Sequence, residues 1–280
     1  MALLHASIMS QSLMRTVDIT VILPCDKLYF PGMEKREDKP YKTLYLLHGI
    51  FGSHVDYISG TRIQRWAEEH NLVVVIPSGD NSMYLDFENS HNYYGEFVGK
   101  ELVEITRKMF PLSNKREDTF IGGLSMGAYG ALRNGLKYSD TFGFILSLSA
   151  GSALDVENIL ARTNENPVWF MRRDFGEYCF KDLEKLETSD MNVRQLIKDL
   201  LKENKEIPML YLAIGDKDSY LESNKKFVEF LKENHVPHVF EIGLGAHEWD
   251  FWDTYLKKAI YEWLPTEKNE EGIHSGNVGI

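Results

Sequence analysis

Short apolar runs that alternate with helix-period segments constrain this chain more than any other feature of its sequence. Leu44 to Leu47 and Leu72 to Ile76 are continuous apolar runs, the pattern of strands covered on both faces by helices. Between and after them the period lengthens. Ile63, Trp66, Ala67 and His70 mark one helix, and Val98, Leu102, Ile105 and Met109 mark a longer one. Thr119 to Gly122 reads as a third strand, Ala128, Leu132 and Leu136 as the helix after it, and Phe142 to Leu148 as a fourth strand. The rhythm resumes with strand Met209 to Ile214, helix Leu221 to Leu231 and strand His238 to Ile242. A last helix is marked by Trp252, Leu256, Ile260 and Trp263. This alternation predicts an α/β fold, a mostly parallel central sheet with helices on both faces.

Two stretches stand outside the rhythm. Residues 152–207 carry polar and charged runs, Pro167 and an aromatic cluster that includes Trp169, Phe170, Phe175, Tyr178 and Phe180, and they read as an insertion over the sheet. Earlier, Val17, Ile19, Val21 and Leu23 alternate with Thr16, Asp18, Thr20 and Ile22, which predicts an antiparallel strand packed on one side. A charged turn follows from Gly32 to Pro40. The expected organisation is one domain over 1–266, with a disordered tail at 267–280 rich in Gly, Asn and Glu.

Composition narrows the function. The chain has 31 basic and 42 acidic residues and a formal net charge of -11, so it repels nucleic acid and anionic membrane surfaces. Neither is an expected partner. Cys25 and Cys179 lie far apart without CxxC spacing, which predicts two free buried thiols. The first residues lack a basic segment followed by an apolar run, and no stretch reaches membrane-spanning length, so a cytoplasmic location is expected. His247-Glu248 begins like a zinc helix, but position 251 is Phe where HExxH needs its second histidine. No metal and no cofactor is expected.

The sharpest local motif is Gly123-Leu124-Ser125-Met126-Gly127, between a strand and a helical pattern, the context of a nucleophile elbow. Glycines two positions either side of the serine let the backbones pass in a tight turn. The following helix aims its amino end at the serine, where negative charge would develop. A serine nucleophile needs a base and an acid, which in this context follow it in the chain. His247 stands after strand His238 to Ile242 and before the last helix, at an edge of the sheet where reactive groups converge. His235, His238 and His274 read as structural or surface residues. Asp216 and Asp218 share one strand-to-helix loop, and spacing alone does not separate them. Oxyanion donors are expected at the Met126 amide and at the Ile50 amide of the early loop His48-Gly49-Ile50-Phe51-Gly52, with His48 shaping that loop.

The segments LYLLHGIFGSHVDY from Leu44, LVVVIPS from Leu72, KREDTFIGGLSMGAYGA from Lys115 and GAHEWDFW from Gly245 resemble the esterase D and feruloyl esterase family of α/β-hydrolases, and its tributyrin esterase branch most closely. The resemblance implies an α/β-hydrolase fold. It assigns the acid to the last residue of a G-x-x-D loop, here Asp218, beside Ser125 and His247. It also marks Met83-Tyr84-Leu85-Asp86 as a loop near the site, with Tyr84 and Asp86 as candidate substrate contacts. Ala128 departs from the further glycine that relatives carry after the elbow, and the insertion matches poorly.

The resulting expectation is a serine carboxylesterase acting on short-chain (acetyl to butyryl) or hydroxycinnamoyl esters through an acyl-enzyme. Trp169 and Trp249 are candidate substrate contacts, since the aromatic residues either wall an apolar acyl pocket or anchor the insertion to the sheet. Competing readings are a thioesterase of the S-formylglutathione hydrolase type, an acyltransferase, and a non-catalytic α/β-hydrolase binding scaffold.

Overall fold

A computed structural model describes residues 1–27, 29, 31 and 35–267. Adjacent residues of the apolar runs divide between two cores. Tyr45, Leu47, Val73 and Val75 join one buried cluster, while Leu44, Leu46, Val74 and Ile76 join the other. A strand whose successive side chains point to opposite faces has to be covered on both. Each such side chain contributes about 1.5–3 kcal/mol when fully buried.

The chain opens with strands β1 (Ala2–Ser10), β2 (Arg15–Leu23) and β3 (Lys42–Leu47), followed by helices α1 (Asp56–Gly60) and α2 (Ile63–Glu69). Strand β4 (Leu72–Pro77) leads to a small hairpin of β5 (Asp86–Phe87) and β6 (Asn92–Tyr93). Helix α3 (Tyr94–Glu96) continues through a π-helical turn into α4 (Leu102–Met109). Strand β7 (Thr119–Leu124), helix α5 (Met126–Lys137) and strand β8 (Phe144–Leu148) form the centre. Helices α6 (Val156–Leu160), α7 (Arg173–Phe180) and α8 (Val193–Lys202) precede β9 (Met209–Gly215), α9 (Leu221–Glu233), β10 (His238–Gly243) and α10 (Trp249–Lys258).

The eight-stranded sheet has the order β1-β2-β4-β3-β7-β8-β9-β10. Strands β1 and β2 pair antiparallel, β2 meets β4 antiparallel, and every pairing from β4 to β10 is parallel. Helices α4, α5 and α8 lie against one face and α2 and α10 against the other. This is the α/β-hydrolase fold.

Three expectations change. Strand β2 is covered on both sides along its second half, because α2 packs on the face opposite Ile19 and Val21; Ile22, on that face, is as fully buried as they are. Strand β1 is absent from the sequence reading. Its mixed polar residues are those of an exposed edge strand, held by pairing to β2. Cys179 is buried, but Cys25 is exposed just beyond the end of β2. In the stretch read as an insertion, α6 and α7 rise over the sheet. Helix α8 buries Val193, Ile197 and Leu200 and packs on α5 as the crossover from β8 to β9. The expected tail lies outside the described residues except for Glu267, which pairs with Arg36. No described helix is long and apolar enough to cross a membrane.

Candidate active site

Strand β7 ends and helix α5 begins on either side of Ser125, whose backbone is held at φ 54°, ψ -116°. Side chains avoid that region unless the surroundings impose it. The packing around the turn explains the glycines. A Cβ on Gly123 would come within 2.4 Å of the Gly127 carbonyl carbon, and one on Gly127 within 2.1 Å of the Leu47 carbonyl oxygen. The Ser125 amide donates to Leu148 O at 2.9 Å and fixes the elbow to β8.

His247, on the loop between β10 and α10, places Nε2 2.9 Å from Ser125 Oγ and Nδ1 2.9 Å from Asp218 Oδ2. With the carboxylate ionised, Nδ1–H donates to Asp218 and Nε2 is left to accept the serine proton. The imidazole is flanked edge-on by Tyr220 and Trp252, with centroids 5.3 and 5.0 Å away. Asp218 is buried at the end of β9, and its Oδ1 accepts the Tyr220 amide at 2.9 Å. Burial pushes the Asp218 pKa up, but the hydrogen bond and charge of His247, helped by the Tyr220 amide, outweigh it and hold the carboxyl below its ordinary value. Asp216, exposed, accepts the Gly245 amide at 3.0 Å and so ties down the loop that carries His247. The geometry thus separates two carboxylates that spacing leaves equivalent.

Ile50 and Met126 both border the cavity that Ser125 opens into. Met126 is the first residue of α5, where a helix amide has no intrahelical acceptor. The Ile50 loop is braced from beneath. His48 Nδ1–H donates to Gly49 O at 2.7 Å while its Nε2 accepts the Gly79 amide at 2.8 Å. Burial lowers the His48 pKa and keeps the ring neutral, as that pair of bonds demands. Tyr84 donates its hydroxyl to His48 O at 3.0 Å.

The structure therefore places Tyr84 behind the loop that carries Ile50, fully buried, and outside the two spaces that Ser125 borders. Asp86 also lies outside them. Its carboxylate accepts from Arg133 and Lys137, each at 3.1 Å, and from the Glu96 amide. An extended sequence motif cannot distinguish a side chain that supports a site from one that lines it. Trp169 and Trp249 do line the cleft.

Ser125 sits where two spaces meet. One is a small cavity of about 60 Å³, bordered by Ile50, Met126, Tyr129, Cys179, Tyr220 and Arg162. The other is an open cleft of about 620 Å³ that includes His247 and is walled by Trp169, Phe170, Trp249 and Trp252. Phe51, 77% exposed, and Trp169 form its rim, their centroids 6.1 Å apart. Arg162, Tyr220 and Phe51 escaped the sequence reading. Tyr220 and Phe51 each lie within two residues of a predicted site residue, whereas nothing near Arg162 marks it. The Cys179 thiol, pushed up to about 12 by burial, stays protonated in the wall of the same small cavity. Among the described residues no cluster of three or more His, Cys, Asp or Glu side chains is arranged to hold a metal ion.

Residues 10–263 match the Esterase family model, described as "Putative esterase". An acetyl esterase from Caldicellulosiruptor saccharolyticus is 41% identical over 264 residues, which span 94% of this chain and 98% of that relative. Two solved structures from Staphylococcus aureus are each 32% identical over 92% of this chain. One is a substrate-bound fluorophosphonate-binding serine hydrolase F, matched over 96% of its length with a TM-score of 0.78. The other is an S-formylglutathione hydrolase apoenzyme, matched over 97% with a TM-score of 0.77.

Proposed function

Since the chain belongs to the Esterase family of serine ester hydrolases, we propose that it is a carboxylesterase for short aliphatic acyl groups, with Ser125 as nucleophile, His247 as base and Asp218 as the orienting acid. The observation that carries this reading is the Ser125 Oγ to His247 Nε2 contact of 2.9 Å, set between a small cavity and a wide cleft. His247 takes the serine proton as Oγ bonds to the ester carbon, and the Ile50 and Met126 amides hold the resulting oxyanion. The imidazolium then protonates the departing alkoxide. Water, deprotonated by the same imidazole, releases the acid from the acyl-enzyme.

The side on which each half of the substrate lies follows from this. His247 has to reach the leaving oxygen, so the alcohol occupies the cleft that His247 lines, and the acyl chain takes the small cavity. At about 10–15 Å³ for each water-sized group, a cavity of about 60 Å³ accommodates roughly four to six such groups. That suits acetyl to butyryl, including the acyl chains of tributyrin, and is too small for a hydroxycinnamoyl group. A glutathione thioester, with two carboxylates against one ammonium, would need to enter a cleft whose lining includes the acidic residues Asp56 and Glu248 and no Lys or Arg. Like charges there place the thioesterase reading second.

The test is a series of 4-nitrophenyl acetate, butyrate and octanoate with methyl ferulate and S-formylglutathione alongside. The expected kcat/KM is highest for acetate or butyrate and falls at least tenfold for octanoate. Ser125→Ala should lose about a thousandfold or more in kcat. A preference for octanoate or ferulate would refute the cavity assignment, and one for S-formylglutathione would reverse the ranking.

A further inference from the structure

The acyl cavity is mainly apolar and aromatic, yet one of its walls is a guanidinium. Arg162, half-buried, borders the same space as Ser125 and the two oxyanion amides. Its hydrogen bonds go to neutral acceptors: Nη2 to Ser152 Oγ at 2.6 Å and to Met171 Sδ at 3.9 Å, and Nη1 to Phe170 O at 3.3 Å. Its Nε is buried with no partner. Asp155 is a neighbouring carboxylate, but it accepts from Lys226 Nζ at 2.8 Å and from the Asn158 amide, and it forms no ion pair with Arg162. A guanidinium cannot discharge itself by losing its proton. A cation partly withdrawn from water without an ionised partner is disfavoured, and burial accordingly weighs against the charged form here.

We infer that Arg162 is a specificity residue that receives a carboxylate at the far end of the acyl chain, so that half-esters of short dicarboxylic acids are substrates. This rests on the esterase reading above and on the placement of the acyl chain in the small cavity. Size agrees with it. A carboxylate on one or two methylenes, as in malonyl or succinyl, fills about four or five of the water-sized positions in the cavity. Chemistry agrees as well, because Nη1 keeps one N–H beyond its bond to Phe170 O, and a hydrogen bond from a guanidinium to a carboxylate is charge-assisted. Tyr220 borders both spaces, with its ring edge-on to that of His247.

The experiment compares monoethyl succinate with ethyl 4-methylpentanoate, its uncharged isostere, by titrating the released acid. Measuring near 0.15 M salt confines the field of a chain of net charge -11 to about 8 Å. The expected wild-type kcat/KM ratio, succinate over isostere, exceeds one. In Arg162→Met the ratio should fall at least tenfold, with Arg162→Lys intermediate, whatever the absolute rates become. A wild-type ratio below one overturns the proposal without recourse to any variant, as does a ratio that Arg162→Met leaves unchanged. If the wild-type protein hydrolyses neither these esters nor ethyl butyrate, the esterase reading itself fails.

Discussion

At Ser125 the hydroxyl is presented by a backbone that a free serine would not choose, at φ 54°, ψ -116°. Such a conformation costs on the order of 1–3 kcal/mol. Ser125→Gly should release it, while the greater chain entropy of glycine returns about 0.5–1 kcal/mol. The net gain, up to about 2 kcal/mol, corresponds to a rise in Tm of up to several degrees at about 2–4 °C per kcal/mol. Ser125→Ala keeps the Cβ and should show no comparable rise. A lower Tm for Ser125→Gly in a thermal scan would argue against strain at the elbow. Ser125 and His247, the proposed nucleophile and base, could be singled out in the sequence by glycine spacing and chain order, and the structure brings them into contact. Spacing alone did not separate Asp216 from Asp218, since both occupy one loop; the family resemblance pointed to Asp218, and it is Asp218 that lies buried against His247. Tyr84 and Asp86 show the opposite limit: the motif drew attention to the right loop, and packing gave its side chains supporting positions.

Among the elements, α5 connects the elbow to the structure above it. Its Arg133, 1% exposed, donates to Asp86 at 3.1 Å and to Asp190 at 2.6 Å, while Tyr129 donates its hydroxyl to Met191 O at 2.6 Å. One helix thereby ties the loop beneath the proposed oxyanion hole to the stretch that covers the cavity. Arg133→Met fits the space but leaves two carboxylates without their buried counter-charge, and should destabilise the fold by about 3 kcal/mol. Denaturant unfolding would measure this as a lower midpoint at unchanged slope. A loss below about 0.5 kcal/mol would mean that Lys137, which also reaches both carboxylates, suffices. The central strands and flanking helices could be read from sequence because each carries its own period. Strand β1 and the hairpin of β5 and β6 could not. The first is an edge strand stabilised by its neighbour, and the second has strands of two residues, too short to show a period.

Across the whole molecule, the proposed function depends on three loops meeting at the carboxyl ends of β7, β9 and β10, with His247 lying 122 residues from Ser125 and 29 from Asp218. Parallel pairing of those strands through β8 brings the loops to one edge of the sheet, which is why the chain order of the three residues could be anticipated from the strand pattern. The division into a small cavity and a wide cleft was not legible. It depends on how the segment between β8 and β9 folds back over Ser125, and its aromatic residues were equally compatible with anchoring that segment to the sheet. The Arg162 side chain belongs to the same unreadable level. The most direct measurement of the central claim is the site and rate of reaction with a fluorophosphonate probe, mapped by mass spectrometry. We expect a single adduct on Ser125, absent in Ser125→Ala and formed at least a hundredfold more slowly in His247→Ala, as loss of a general base requires. An adduct on another residue, or undiminished labelling of Ser125 without His247, would contradict the assignment.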